Sequence, residues 1–180
     1  EDKFKYMRWE RQVRLMDKAN ELLEKRGLIT TKPIPLKLAI PLFEAASLED
    51  NDYIQNLWVN ILVNASDEKM NIELKRTFID ILERITPLEA EILEKIYSLP
   101  FEESHHEGVR TKDLPKTVRI STKENRTDIK EPSLEIKLAL TSLSVLGCIS
   151  LEKTMGGGEV FTGLNPTYLG KYFIEACTSR

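Results

Sequence analysis

Apolar residues recur at helical spacing between about Phe4 and Arg26, and no Pro or Gly interrupts this part of the chain. The apolar residues with this spacing are Trp9, Val13, Met16 and Leu23. The opposite face is basic and carries Arg8, Arg11, Arg14 and Lys18. The pattern predicts a long helix that ends at Gly27, packs its apolar face against the protein and leaves its basic face in solvent.

Four more helices are predicted up to about residue 97. The first covers 36–46, with Pro41 as a kink or break. The second helix begins at 47–50, where Ser47 can act as its cap. This helix is apolar around much of its circumference, which predicts that it is the central helix of the first half. Its apolar residues are Tyr53, Ile54, Leu57, Trp58, Ile61 and Leu62. A third contains Phe78, Ile81, Leu82 and Ile85, and a fourth follows the capping box Thr86–Glu89.

The pattern changes at about Pro100. Residues 101–132 are polar and irregular, which predicts a loop with one short helix near 111–118. A leucine-rich helix is then predicted over 133–146, followed by strands over 148–151 and 160–164 that flank three glycines, 156–158. A last helix is expected after a cap at Asn165–Pro166, with Gly170 inside it.

This order of helix, loop, helix, strand, Gly-rich turn, strand and helix is typical of a winged helix whose wing tip is the glycine run. We therefore expect a mainly α protein with two domains. Residues 1–85 would form a helical bundle, and residues 86–180 a winged-helix-like module with a small β-hairpin.

Charge limits the function classes. The 180 residues are 41% hydrophobic and carry a formal net charge of −3, whereas non-specific nucleic-acid binders usually have excess Lys and Arg. The candidate nucleic-acid or partner contacts are Arg110, Lys112, Lys116, Arg119, Lys137 and Lys153. Nearby acidic residues dilute this charge, and the 133–146 helix, which would enter the DNA groove, is rich in leucine. Protein interaction is therefore favoured over DNA binding.

Candidate chemistry is sparse. Cys148 and Cys177 lie in apolar patterns, which predicts buried free thiols in a reducing compartment, and no run approaches the roughly 20 apolar residues of a membrane span. The adjacent His105 and His106 lack a distant ligand set, so a solvated loop is favoured over a metal site.

We expect no catalytic, cofactor-binding or metal-binding residue. Asn60 and Asn64 lie four residues apart on one helical face. They either make a polar contact within the bundle or belong to a surface that binds a partner, and the first interpretation is favoured.

Several runs resemble one bacterial family, the abortive-infection alpha proteins. These runs are 35–38, 41–49, 57–65 and the block from Phe78 to Thr86–Ala90, and the resemblance extends over about residues 8–97. It implies a part in resistance to phage. The shared residues are mostly apolar or capping residues, so they imply a fold and no reaction. The start at Glu1 without Met is expected of a fragment, because members of this type usually have an extra N-terminal region.

The expected function is a non-enzymatic protein-interaction or assembly module of a phage-defence protein in the cytoplasm. A protein partner or self-association is expected, together with weak electrostatic binding of nucleic acid at most. The alternative is a DNA-binding regulator that acts through the winged helix.

Overall fold

A computed structural model describes residues 2–28, 31–125, 127 and 129–178. These residues are mainly helical and include a four-stranded antiparallel sheet. The helices are α1 (Asp2–Lys25), α2 (Leu36–Ala46), α3 (Asp52–Ser66), α4 (Arg76–Arg84), α5 (Pro87–Tyr97), α6 (Phe101–Glu107), α7 (Leu134–Val145) and α8 (Tyr168–Cys177). The strands are β1 (Val109–Arg110), β2 (Arg119–Ile120), β3 (Ile149–Lys153) and β4 (Glu159–Pro166). The chain divides into two compact units, one of residues 1–85 and 175–180 and the other of residues 86–174.

The first unit is built around α3, as its apolar circumference predicts. Trp58 is 1% exposed, and Ile61 is completely buried. Helix α3 does not begin at Ser47, so that prediction is wrong. Ser47 has helical backbone angles and its N–H donates to the Phe43 carbonyl, so it ends α2. The extended residue Asn51 is the cap, because its side chain accepts from two free amides at the start of α3.

The long first helix is confirmed, but the faces predicted for it are reversed. The buried residues of α1 are Leu15 and Ala19, which lie between the basic residues along the helix. Trp9, by contrast, is 58% exposed. Apolar periodicity shows that a helix has an apolar face, and it does not show which face the rest of the protein covers.

The second unit begins with the predicted capping box. The Thr86 hydroxyl accepts from the Glu89 amide at 3.2 Å, and the Glu89 carboxylate accepts from the Thr86 amide at 2.8 Å. The sheet follows the order β2-β1-β4-β3. Strand β4 is central, because Leu164 lies opposite Val109 of β1 on one side and Leu151 of β3 on the other. The predicted hairpin of β3 and β4 is confirmed, with the glycine run between its strands.

Two predictions for this unit are wrong. The region expected to be a loop begins with α6, whereas the short helix expected near 111–118 is replaced by turns that lead into the edge strand β2. Buried Thr111 explains this, because its hydroxyl donates to the Phe161 carbonyl and ties the chain to β4. Asn165 and Pro166 belong to β4 and do not cap α8. The Thr167 hydroxyl instead accepts from the Gly170 amide at 3.1 Å.

Candidate interaction surfaces

The basic face of α1 packs against its own unit. Each of its four cations makes a hydrogen bond to the segment 47–56, which ends α2 and begins α3. The pairs are Arg8–Ser47 at 3.3 Å, Arg11–Leu48 carbonyl at 3.1 Å, Arg14–Asp52 at 2.5 Å and Lys18–Asn56 at 3.1 Å. Because these partners all lie on one side of α1, the helix is held with its apolar face outward.

That outward face is a row of large apolar side chains, here called the α1 stripe. It consists of Tyr6 (62% exposed), Trp9 (58%), Val13 (39%) and Met16 (40%). A shallow groove of about 340 Å³ runs beside it, lined in part by Phe43 of α2. Single exposed apolar residues are ordinary, but a contiguous row of them on one helix is typical of a surface that binds another apolar surface.

Two of the predicted contact cations are committed to bonds within their own unit. The Arg110 guanidinium is half-buried and donates to the Ser121 hydroxyl at 2.9 Å. Lys137 pairs with Glu131, and this partner lowers the pKa of the Glu131 carboxyl. The ammonium of Lys137 also lies 5.7 Å from the centre of the Phe161 ring.

Three other predicted cations do come together. Lys112, Lys116 and Arg119 line one open cleft in the turns between β1 and β2, here called the basic cleft. Asp113 lines the same cleft and accepts from Arg119 at 3.3 Å. Lys153 does not line this cleft. It lies on β3, directly opposite Glu159 of β4 in the register of the hairpin.

Helix α7 divides its leucine-rich sequence between core and solvent. Ile136, Leu140 and Leu143 are buried, whereas Leu134 is 71% exposed and Leu138 is 63% exposed. With Lys137 paired to Glu131, the exposed face of α7 offers mainly apolar side chains.

His105 is part of the packing of the second unit. Its Nδ1 lies 2.7 Å from the Pro166 carbonyl, and its ring lies 5.2 Å from the rings of both Phe101 and Tyr168. His106 beside it is exposed. Across the residues that the structure describes, no three His, Cys, Asp or Glu side chains form a group suited to a metal ion.

Both thiols are buried, as predicted. Burial, together with a smaller effect of the nearby charge of Glu89, raises the pKa of the Cys148 thiol to about 12. A thiol with this pKa is almost entirely protonated at neutral pH, and the thiolate is the nucleophilic form. Cys148 is therefore held as a buried thiol.

A contact centred on Tyr97 was not visible in the sequence. The phenol hydroxyl donates to the Cys148 carbonyl at 2.5 Å and accepts from the Thr167 amide at 2.9 Å. Burial raises the pKa of Tyr97 to about 12. Gly170 lies against this hydroxyl, and the absence of a side chain there is the only signal that the sequence offered.

The two asparagines of α3 make the polar contact within the first unit that was favoured for them. Asn60 donates to the Cys177 carbonyl at 2.9 Å. Asn64 is completely buried, donates to the carbonyls of Ala176 and Thr178, and accepts from Arg26 at 2.7 Å. These amides fix the end of the chain to α3.

Comparison with known proteins identifies the family. The family model described as abortive infection alpha matches residues 10–177. The chain belongs to this family. The resemblance seen in residues 8–97 is thus confirmed and extends through the second unit, and membership indicates an involvement in abortive infection. No curated protein and no solved structure is significantly similar to this abortive infection alpha chain. Among the helices in the described ranges, none is both long and apolar enough to cross a membrane.

Proposed function

We propose that this abortive infection alpha protein acts in phage defence as a non-enzymatic protein-interaction module, with the α1 stripe as its partner surface. The observation that carries the proposal is the exposure of Trp9, Val13 and Met16 on a helix whose basic face is hydrogen-bonded to its own unit. Leaving such a row in water forgoes roughly 25 cal/mol for each Å² that a partner would cover.

The environment of the reactive residue types supports a non-enzymatic role. Cys148 is buried with a raised pKa, and His105 is engaged by a carbonyl and two rings. Two buried free thiols are also typical of a reducing compartment, which supports a place in the bacterial cytoplasm.

Phage challenge of bacteria that carry the gene tests this proposal. Val13→Glu places a charge in the middle of the stripe, where a folded monomer tolerates it because Val13 is partly exposed. Met155→Glu is the matched control, since this residue is fully exposed in the β3–β4 turn of the other unit. We expect Val13→Glu to lose protection and Met155→Glu to keep it. Full protection by a normally expressed Val13→Glu protein would contradict the proposal.

The second unit supports a second candidate function, a DNA-binding winged helix. A winged helix places its first strand beside the last strand of the wing hairpin, and the order β1-β4-β3, with α7 between β1 and β3, fits that arrangement. The basic cleft gives this module a cationic surface. We rank it second because Lys137 on α7, the helix that would enter the groove, is paired with Glu131.

A salt titration of affinity for several unrelated duplexes separates the two functions. Contacts confined to the cleft would be electrostatic, would weaken steeply between low and physiological salt, and would ignore base sequence. We expect this behaviour and expect Lys116→Glu to abolish it. Binding that survives physiological salt and prefers one duplex would favour the regulator.

A further inference from the structure

We propose that the occupant of the α1 stripe is α1 of a second copy of this chain, in a parallel two-stranded coiled coil. This inference rests on the proposed function and names its partner. The stripe continues along α1 with alternating spacings of three and four residues, which is the spacing of a coiled-coil seam. The a positions are Tyr6, Val13 and Asn20, and the d positions are Trp9, Met16 and Leu23.

The positions that pack against the first unit leave this seam open. The two buried residues of α1 are Leu15 at c and Ala19 at g, and the cations that bond to the first unit are at b, c and f. These contacts leave the a, d and e positions open, although Ala19 brings the first unit up to the g side of the seam. The residues at a are all exposed, and of those at d only Leu23 is half-buried. A helix of 24 residues is about 36 Å long, which provides close to three heptads for pairing.

Charge beside the seam favours the parallel orientation. The e positions are Glu10, Asp17 and Glu24, and all three are exposed. An antiparallel pair sets e against e, so acidic side chains would oppose acidic side chains. A parallel pair sets e against g, which places Glu10 of one copy near Lys5 of the other and Asp17 near Gln12.

Asn20 gives a second reason for an in-register parallel pair. A single asparagine at an a position costs some stability but specifies register and orientation, because the two amides can hydrogen-bond only when they meet. Asn20 is exposed in the single chain. Along the seam it follows the apolar pair Val13 and Met16 and precedes Leu23. In a parallel dimer it would meet its own counterpart, whereas an antiparallel dimer would set it opposite apolar residues.

The same charges argue against a lipid surface as the occupant. A helix that lies on a membrane carries Lys and Arg beside its apolar face, where they meet anionic headgroups. Here the exposed e positions beside the seam are acidic, and Arg8, Arg11 and Arg14 hydrogen-bond to residues of their own unit.

The molecular mass in solution tests the pairing. We expect light scattering at high protein concentration to give about twice the 20.7 kDa of one chain, falling towards one chain on dilution because the seam is short. Val13→Glu should give the mass of one chain at every concentration, with the melting temperature that the wild type has when dilute. Met155→Glu should pair like the wild type. A wild-type protein that stays monomeric at high concentration, or a Val13→Glu protein that still pairs, would overturn the inference.

Oxidative cross-linking tests the orientation. Asn20→Cys introduces a thiol at a seam position, while both native cysteines are buried. A parallel dimer brings the two new thiols together, so we expect a covalent dimer that does not form with Met155→Cys. Failure of Asn20→Cys to cross-link in a protein whose mass is that of a dimer would contradict the parallel seam.

The two proposals fail in different ways. A wild-type monomer whose protection is lost with Val13→Glu would overturn self-association and leave the interaction module standing, with a different partner. A dimer whose protection survives Val13→Glu would contradict the proposed function instead. Binding of the wild type, but not of Val13→Glu, to vesicles containing anionic lipid would also overturn pairing as the use of the stripe.

Discussion

Gly170→Ala is a substitution for which sequence reasoning and structure predict opposite signs. Gly170 lies inside α8, where alanine is normally the better helix former by about 1 kcal/mol. The structure puts the new methyl group 2.1 Å from the Tyr97 hydroxyl and 2.2 Å from the Cys148 carbonyl. Contacts this short require those two groups to move.

The magnitude follows from what must move. Overpacking a core typically costs about 1–3 kcal/mol. Displacing Tyr97 also removes its hydrogen bonds to the Cys148 carbonyl and from the Thr167 amide, each worth about 0.5–1.5 kcal/mol. After the helix preference is subtracted, we expect the free energy of unfolding to fall by about 1–5 kcal/mol, at about 2–4 °C of melting temperature per kcal/mol for a chain of this length.

Urea and thermal unfolding followed by circular dichroism measure this loss. Gly156→Ala is the matched control, because a methyl group there meets only the Thr154 hydroxyl, at 3.9 Å. Combining Gly170→Ala with Tyr97→Phe removes the closest oxygen but leaves the Cys148 carbonyl in place, so the double variant should recover part of the loss. A Gly170→Ala protein as stable as the wild type, or effects that are simply additive, would refute this reasoning.

Three further stability predictions follow from buried groups. Trp58→Ala should cost about 3–5 kcal/mol in urea unfolding, because Trp58 is 1% exposed; a negligible cost would contradict its place in the core. Asn64→Ala should cost about 1–3 kcal/mol, since it leaves the Ala176 and Thr178 carbonyls unpaired, and an unchanged melting temperature would argue against that contact. The folded Cys148 pKa of about 12 lies above its ordinary value, so its contribution is complete at neutral pH and is lost as pH rises from about 9 towards 12. Between about pH 9 and 12 the free energy of unfolding should therefore fall less steeply with pH in Cys148→Ala than in the wild type, by up to about 1.4 kcal/mol per pH unit. The same slope against pH in both proteins would contradict the raised pKa of Cys148.

Local signals in the sequence predicted the elements well. The Thr86–Glu89 box, the apolar circumference around Trp58 and the glycine run between two strands depend on neighbouring residues alone, and the structure shows each of them. Capping was less predictable, because several polar residues precede each helix and only the one directly before it is placed to accept from its free amides. Asn51 and Thr167 have this role, and Ser47 and Asn165 do not.

The candidate site could not be predicted because it depends on which side of a helix the rest of the chain covers. The pattern of α1 gave two faces, and hydrophobicity alone assigned the apolar one to the core. What reversed the assignment is a row of partners for the basic face, such as Ser47, Asp52 and Asn56, which lie about 38 residues away in the sequence. In the same way, the pairing of Lys137 with Glu131 depends on a contact that the helical pattern of α7 does not contain.

Quenching of tryptophan fluorescence by acrylamide tests the central claim most directly, because the chain has only two tryptophans and they differ in exposure. Trp58 is buried and Trp9 is 58% exposed. Subtracting the signal of a Trp9→Phe variant isolates Trp9. We expect Trp9 to be quenched readily in dilute protein and to become protected as the concentration rises and two copies of α1 pair, while Trp58 stays protected throughout. A Trp9 signal whose quenching is the same at every concentration would contradict the claim that α1 is the contact between two copies.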